Sequence, residues 1–313
     1  MDIQRVHPDF RRTVKAIPGI PVHKRLLLPL LRTLSRSLPK PRSSDLVTIS
    51  EAQAGPTPLL LYRPTRTPPS GAILWIHGGG YVLGSHRMNA IDCKRYARKL
   101  NLLVVSVDYR LAPQTPFPGP LDDCMAAWDW MQENADTLNI RRDRIIVAGQ
   151  SAGGGLAAAL AQKLCDISPV KPLGQLLYYP MLDDRTALRE ELTQQGHVVW
   201  NNRNNAAGWA AYLNQAAGES HAPDYSVPSR RASLTGLPPT WLGVGDIDLF
   251  YEEDLRYAER LAADGVDCRL SVVEGAPHAF DALAPTSRLT RRFMFEQYRF
   301  IRRLLENTGK QAA

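Results

Sequence analysis

Ala72–Ile76 reads Ala-Ile-Leu-Trp-Ile, five residues with no polar side chain on either face. A strand of that kind has to be covered on both sides, which is the condition of a parallel sheet packed between helices. Leu102–Val107, Ile145–Ala148, Gln175–Tyr179, Thr240–Val244 and Arg269–Val273 are expected as further strands, and Leu46–Ser50 and Leu59–Tyr62 as an opening pair. Helical patterns lie between them over Ala90–Lys99, Leu121–Ala135, Gly153–Leu164, Glu252–Ala263 and Ser287–Glu306. This alternation predicts an α/β fold with a mostly parallel central sheet flanked by helices. No internal repeat or low-complexity linker interrupts it.

Residues 183–225 break the rhythm. They follow a strand, bring no new one, and run from a polar stretch through Val198-Val199-Trp200 into a helical pattern carrying Trp209, Tyr212 and Leu213. An insertion of this length is expected to be a lid. At 313 residues the chain is long enough for one core and a small appended cap. The expected division is therefore an N-terminal cap segment over 1–43, a core over 44–182 and 226–313, and inserted cap helices over 183–225.

Charge supports treating the N-terminus separately. The whole chain carries +7, but residues 1–42 hold ten Lys/Arg against two Asp, a local +8 that leaves −1 for everything else. A body without basic excess argues against a nucleic-acid partner. Inside the basic segment lies Leu26-Leu27-Leu28-Pro29-Leu30-Leu31, flanked by Arg25, Arg32 and Arg36. It reads either as a cap helix over a pocket or as a basic amphipathic segment in weak contact with an anionic membrane surface. Pro18, Pro21 and Pro29 break any long surface helix and favour the cap. Apolar runs stay far below the roughly 20 residues of a membrane span. Met1–Phe10 lacks the basic-then-apolar order of a signal peptide, so a cytoplasmic protein is expected. Cys93, Cys124, Cys165 and Cys268 form no close pair and no zinc spacing, and are expected as reduced thiols.

The sharpest chemical signal is Gly149-Gln150-Ser151-Ala152-Gly153, between the apolar run 145–148 and a helix of small residues. A strand that turns sharply into a helix holds the serine strained and projecting, and flanking glycines are needed where a Cβ would strike neighbouring backbone. His77-Gly78-Gly79-Gly80-Tyr81 follows the strand 72–76. Consecutive glycines let backbone N–H groups converge on an oxyanion, with Gly79, Gly80 and Ala152 as the expected donors. Neither the G-x-x-x-x-G-K-[ST] nor the G-x-G-x-x-G order is present, which argues against a phosphate loop. His77 is expected to brace the loop.

A serine nucleophile needs a base and a carboxylate that orients it. Of the histidines after Ser151, His197 and His221 fall in the inserted segment. His278 sits in a loop just after strand 269–273, where sites of open α/β sheets collect. The carboxylate has to come from Asp246-Ile247-Asp248, and spacing alone does not separate Asp246 from Asp248.

Taken in order, His77–Gly80, Asp108–Pro113, Pro116–Pro118, Gly149–Gly154, Tyr179-Pro180, Gly236–Pro239 and Gly245–Leu249 with Glu252-Glu253 resemble the bacterial hormone-sensitive-lipase family of α/β-hydrolase carboxylesterases. The resemblance runs from about Ala72 to the C-terminus. It implies an α/β-hydrolase fold with a helical cap. It also implies Asp248 as the acid beside Ser151 and His278, and Gly79, Gly80 and Ala152 as the oxyanion hole. The chain departs from the family at Gln114, Gln150, Gly155 and Ala279. The loss of two acidic positions together suggests that Gln114 and Gln150 are coupled.

The expected activity is serine hydrolysis of short- to medium-chain carboxylic esters through an acyl-enzyme, with no metal or organic cofactor, by a monomer or homodimer. Tyr81, Leu83, Trp200, Trp209, Tyr212, Phe250 and Phe280 are candidate pocket residues, although each also suits core packing. The alternatives are an amidase, formamidase or lactonase with the same triad, and a non-catalytic ligand-binding receptor on the same fold. The receptor reading is weakened because all three triad residue types are present.

Overall fold

A computed structural model describes residues 2–17 and 19–310. Met1, Pro18 and residues 311–313 lie outside the described residues, and with them Pro18's expected part in breaking the N-terminal helix. Eight described strands form one sheet: β1 (Val47–Ala54), β2 (Thr57–Pro64), β3 (Ala72–Ile76), β4 (Leu103–Val107), β5 (Ile145–Gln150), β6 (Gly174–Tyr178), β7 (Thr240–Gly245) and β8 (Cys268–Val273). Their spatial order is β1-β2-β4-β3-β5-β6-β7-β8. β1, β2 and β4 pair antiparallel, and every pair from β4 through β8 is parallel. After β3 the chain crosses to β4 on one side, then returns to β5 on the other. The carboxyl ends of β3 and β5 thus flank the point where strand order reverses, where the connecting loops diverge and leave a crevice.

The helices are α1 (Pro8–Ala16), α2 (Leu28–Arg36), α3 (Ala90–Leu100), α4 (Gly119–Glu133), α5 (Ala135–Leu138), α6 (Ala152–Ile167), α7 (Glu190–Gln195), α8 (Asn202–Leu213), α9 (Tyr251–Ala263), α10 (Phe280–Leu283) and α11 (Arg288–Lys310). α3 and α11 are joined where the Tyr96 hydroxyl donates to Gln297 Oε1 at 2.6 Å. α6 and α9 meet through Gln162 Nε2 and the Tyr257 hydroxyl at 3.1 Å. Between the helix layers β3, β4, β5 and β6 are buried at every residue, as their apolar composition requires. Trp75, Tyr178, Trp241 and Phe293 pack edge to face through this core, with centroids 4.9–5.5 Å apart along the chain of rings.

The opening strands are longer than their apolar residues indicate. β1 continues through Ser50-Glu51-Ala52-Gln53 with one face in water, and Ala54 pairs with Thr57 across a turn at Gly55 (φ +57°). An edge strand with a solvated face carries no continuous apolar signal. The helix expected to reach Ala135 stops at Glu133, and a separate turn, α5, follows Asn134.

The N-terminal segment is tied down at several points. His7 N donates to Gly275 O at 2.9 Å, and Phe10 is buried with its ring 5.7 Å from Phe280. The Arg32 guanidinium reaches the carbonyls of Val82 (2.8 Å) and Ala112. Asn204 on α8 bridges the segment to the insertion, donating to Ile20 O at 2.7 Å and accepting from His23 N at 3.2 Å.

Candidate active site

β5 delivers Ser151 at a turn that no ordinary backbone makes. Ser151 has φ +55° and ψ −122°, a region that costs of order 1–3 kcal/mol and persists only where surroundings enforce it. They do so by contact and by hydrogen bonds. A Cβ on Gly149 would lie 2.1 Å from Gly153 O, and one on Gly153 would lie 2.2 Å from Ile76 O. The pentapeptide's glycines are therefore set by how closely the turn is wedged against itself and against β3. Ser151 N donates to Tyr178 O at 2.9 Å, and Ser151 O accepts from Gly155 N and Met181 N, each at 3.0 Å.

The loop after β8 brings His278 to the same place. Its Nε2 lies 3.0 Å from Ser151 Oγ and its Nδ1 lies 2.8 Å from Asp248 Oδ2. All three residues are buried. Asp248 is held from the other side by Phe250 N, which donates to its Oδ1 at 3.0 Å. Asp246 does something else: its Oδ1 accepts from Gly275 N at 2.6 Å, fixing the loop that carries His278. The His278 ring is flanked edge-on by Tyr179 at 4.7 Å and Phe250 at 5.3 Å. His197 lines a different cavity, of about 450 Å³, with Asp2, Arg5 and the far side of Asp248, and His221 is exposed.

The glycine stretch lies against this constellation. Gly78 abuts the Gln150 carbonyl and the Ser151 Cβ. Gly79 and Gly80 turn at φ +120° and +60°. Ala152 is the first residue of α6, where N–H groups have no partner within the helix. Among the described residues no protein acceptor takes the N–H of Gly79, Gly80 or Ala152. His77 is buried, stacked on Tyr109 at 4.2 Å, with Nδ1 2.7 Å from Gly78 O. Burial pushes its imidazole down to about 4, so it stays neutral near pH 7. Among the described residues no three His, Cys, Asp or Glu side chains converge as metal ligands.

A cavity of about 390 Å³ opens over Ser151 and His278. Ile20, Val22, Leu31 and Leu34 enter it from the N-terminal segment, Val199 and Trp200 from the insertion, and Leu83 and Met88 from the stretch after the glycines. Among the described residues no Lys, Arg, Asp or Glu lines it. Of the seven candidate pocket residues, Leu83 and Trp200 line this cavity, and a Cβ on Gly80 would fall 2.1 Å from the Trp200 ring. Tyr81, Trp209, Tyr212, Phe250 and Phe280 do not. Tyr81 stacks on Tyr212 at 4.0 Å with Trp209 beside it, Phe250 packs behind the imidazole, and Phe280 meets Phe293 at 4.8 Å. These large rings are worth more in the dry core than on a wall that faces water. The N-terminal aliphatics, Met88, Tyr179 and Val199 are not among the candidate pocket residues; the leucine run over 26–31, read as a cap helix over a pocket, was the signal available for the first of these.

The coupling expected between Gln114 and Gln150 has no contact to carry it. Gln114 meets Arg32 at the surface. Gln150 is buried, accepting from Asn89 Nδ2 at 2.5 Å and donating to Asp281 Oδ2 at 3.2 Å. Among the described residues the two side chains share no partner: one is exposed against Arg32, the other is buried between Asn89 and Asp281. The stability changes of Gln114→Glu and Gln150→Asp are therefore expected to add in the double variant to within about 0.5 kcal/mol, as denaturant melts would measure.

A family profile described as the alpha/beta hydrolase fold matches residues 73–282. The chain is 31% identical over 277 residues to Esterase LipI of Mycobacterium tuberculosis, covering 86% of this chain and 80% of that one. Among solved structures it is similar to a bacterial heroin esterase, with a TM-score of 0.87 and 32% identity over 97% and 99% of the two chains. An esterase of the bacterial hormone-sensitive lipase family matches with a TM-score of 0.78 and 28% identity, over 96% of this chain and 99% of that one.

Proposed function

The chain belongs to the hormone-sensitive-lipase-like family of α/β hydrolases, and on that premise we propose that it is a carboxylesterase acting on short- to medium-chain esters through an acyl-enzyme. The observation that carries the proposal is one imidazole hydrogen-bonded at once to Ser151 Oγ and Asp248 Oδ2 under an apolar cavity. Ser151 attacks the ester carbonyl while His278 Nε2 takes the hydroxyl proton. Asp248 holds the imidazole in the tautomer with its proton on Nδ1 and stabilises the imidazolium that forms. The carbonyl oxygen, now negative, accepts from the N–H groups of Gly79, Gly80 and Ala152. His278 then protonates the leaving alcohol. Water, deprotonated by the same imidazole, attacks the acyl-enzyme and frees the acid and Ser151. His77 takes no part in this, being neutral and stacked away from the serine.

Substrate range follows from the wall. A cavity with no charged lining favours aliphatic or aryl groups, and about 390 Å³ is at the small end of the usual ligand range. Residues 1–43 and 183–225 act as the cap, a division supported by the seven cavity residues they contribute. No helix among the described residues is long and apolar enough to cross a membrane. A cytoplasmic setting is supported by the unpaired thiols of Cys93, Cys124, Cys165 and Cys268.

A panel of p-nitrophenyl esters and p-nitroanilides tests the proposal. Short and medium acyl esters are expected to exceed the longest-chain ester and the matching anilides in kcat/KM by about 100-fold. An amidase would reverse the ester–anilide ratio. A receptor would turn over neither and leave Ser151 unlabelled by a fluorophosphonate.

A further inference from the structure

Asp281 takes no part in the proton transfers between Ser151 and His278. It is the second residue of α10, three residues beyond His278, and it is buried without lining the cavity. Burial pushes its carboxyl above the usual range, against the Tyr179 hydroxyl and nearby backbone N–H groups that draw it down. A buried carboxylate is costly unless it is hydrogen-bonded. Both oxygens are: Oδ1 accepts from the Tyr179 hydroxyl at 2.7 Å and Oδ2 from Gln150 Nε2 at 3.2 Å.

Those two donors belong to the site. Gln150 immediately precedes Ser151, and both Gln150 and Tyr179 line the cavity. The Gln150 side chain is held at its other end by Asn89, the residue before α3, whose Nδ2 donates to Oε1 at 2.5 Å. Tyr179 follows β6 with φ +34°, a strained backbone for a residue with a Cβ, and its N–H donates to Gly243 O at 2.6 Å. Its ring stands edge-on to the His278 imidazole at 4.7 Å. One carboxylate therefore gathers the end of β5, the end of β6 and the loop that carries His278. That loop is fixed before the histidine by Asp246 on Gly275 N, and after it by Asp281.

The geometry points to Asp281 as a positioning residue that holds His278 in register with Ser151 through Tyr179 and Gln150. It fixes the ring that flanks the imidazole and the side chain that precedes the nucleophile, so that His278 Nε2 stays within hydrogen-bonding reach of Ser151 Oγ. A misplacement of about 1 Å at such a pair can cost about 100-fold in rate. The inference deepens the esterase proposal and rests on it for the reaction that Asp281 serves.

The test compares Asp281→Leu, Asp281→Asn and Tyr179→Phe in the full chain, by kcat and KM on a soluble p-nitrophenyl ester and by the rate of fluorophosphonate labelling. Leucine fills the space and removes both acceptors. Asp281→Leu is expected to lower kcat by about 10–100-fold with KM within about threefold, and labelling should slow in step. Asparagine still offers Tyr179 an oxygen. Gln150 can turn its amide to accept from the new N–H, and Asn89 Oδ1, which has no partner among the described residues, can accept at the end of the chain. Asp281→Asn is therefore expected to be about tenfold faster than Asp281→Leu. Tyr179→Phe keeps the ring and removes one donor. It should lower kcat by about three- to tenfold, yet slow the Asp281→Leu enzyme no further, because the contact it deletes is already gone.

A residue that only fills space would be replaced as well by leucine as by asparagine. The inference is overturned if Asp281→Leu keeps kcat within about threefold of wild type, or if asparagine is no faster than leucine. Should Asp281→Leu fail to fold, an unchanged kcat and labelling rate in Tyr179→Phe would overturn it alone. Wild-type protein that is labelled but hydrolyses no ester would sink the esterase proposal, and the labelling rates of the variants would still decide the role of Asp281.

Discussion

Ser151→Ala is expected to lower kcat on a soluble p-nitrophenyl ester by about 10⁴–10⁶-fold and to abolish fluorophosphonate labelling, and His278→Ala should do nearly as much. Both effects have one origin. A hydroxyl is a weak nucleophile near pH 7, and the group that takes its proton stands 3.0 Å away, on a loop that arrives 127 residues later. Since the two side chains act as a unit, the Ser151→Ala/His278→Ala double variant should be no slower than the worse single one. Steady-state kinetics with active-site titration reads all three. A His278→Ala enzyme within tenfold of wild type would mean that another base serves the serine. A double variant far slower than either single would mean that the two residues act independently.

Asp248→Asn is expected to cost about 10⁴-fold in kcat while leaving the fold intact, whereas Asp246→Asn should stay within about tenfold of wild type. The two aspartates lie two residues apart at the end of β7, yet they accept from different donors. Asp248 Oδ2 takes Nδ1 of His278 at 2.8 Å, and an asparagine there can present its amide N–H and hold the ring in the wrong tautomer. Asp246 Oδ1 takes the Gly275 N–H at 2.6 Å, which an asparagine oxygen can still accept. Asp246→Ala leaves that N–H without its partner and is expected to lower stability by about 1–2 kcal/mol with a smaller loss of rate. Parallel kcat measurements and urea melts separate the two roles. Equal losses of kcat from the two asparagine variants would refute the assignment.

Strands β3–β6 were legible because burial on both faces leaves an unbroken apolar run. β1 was cut short because Ser50-Glu51-Ala52-Gln53 faces water on one side and looks like a turn. Ser151 was legible for a similar reason. Its strained turn is made by neighbours in sequence, and the glycines at 149 and 153 are the trace that crowding leaves. The cavity wall was not. Tyr81, Trp209 and Tyr212 have the size and chemistry of pocket residues, but they spend both on stacking with one another in the core. Four of the aliphatics that do line the cavity, Ile20, Val22, Leu31 and Leu34, come from a segment more than a hundred residues upstream of Ser151, whose leucines include both buried and exposed ones.

By itself the sequence determined what short-range sterics and solvation dictate: which runs are buried strands, where the chain must turn on glycine, and which serine that turn presents. Spacing left Asp246 and Asp248 open and the family resemblance pointed to Asp248; only the tertiary structure decided what Asp246 does instead, which aromatics face the cavity, and that Gln114 and Gln150 share no partner among the described residues. Each of those depends on where a side chain points after distant elements have packed. No spacing along the chain encodes that direction, because residues two apart at a strand's end can be turned toward entirely different neighbours.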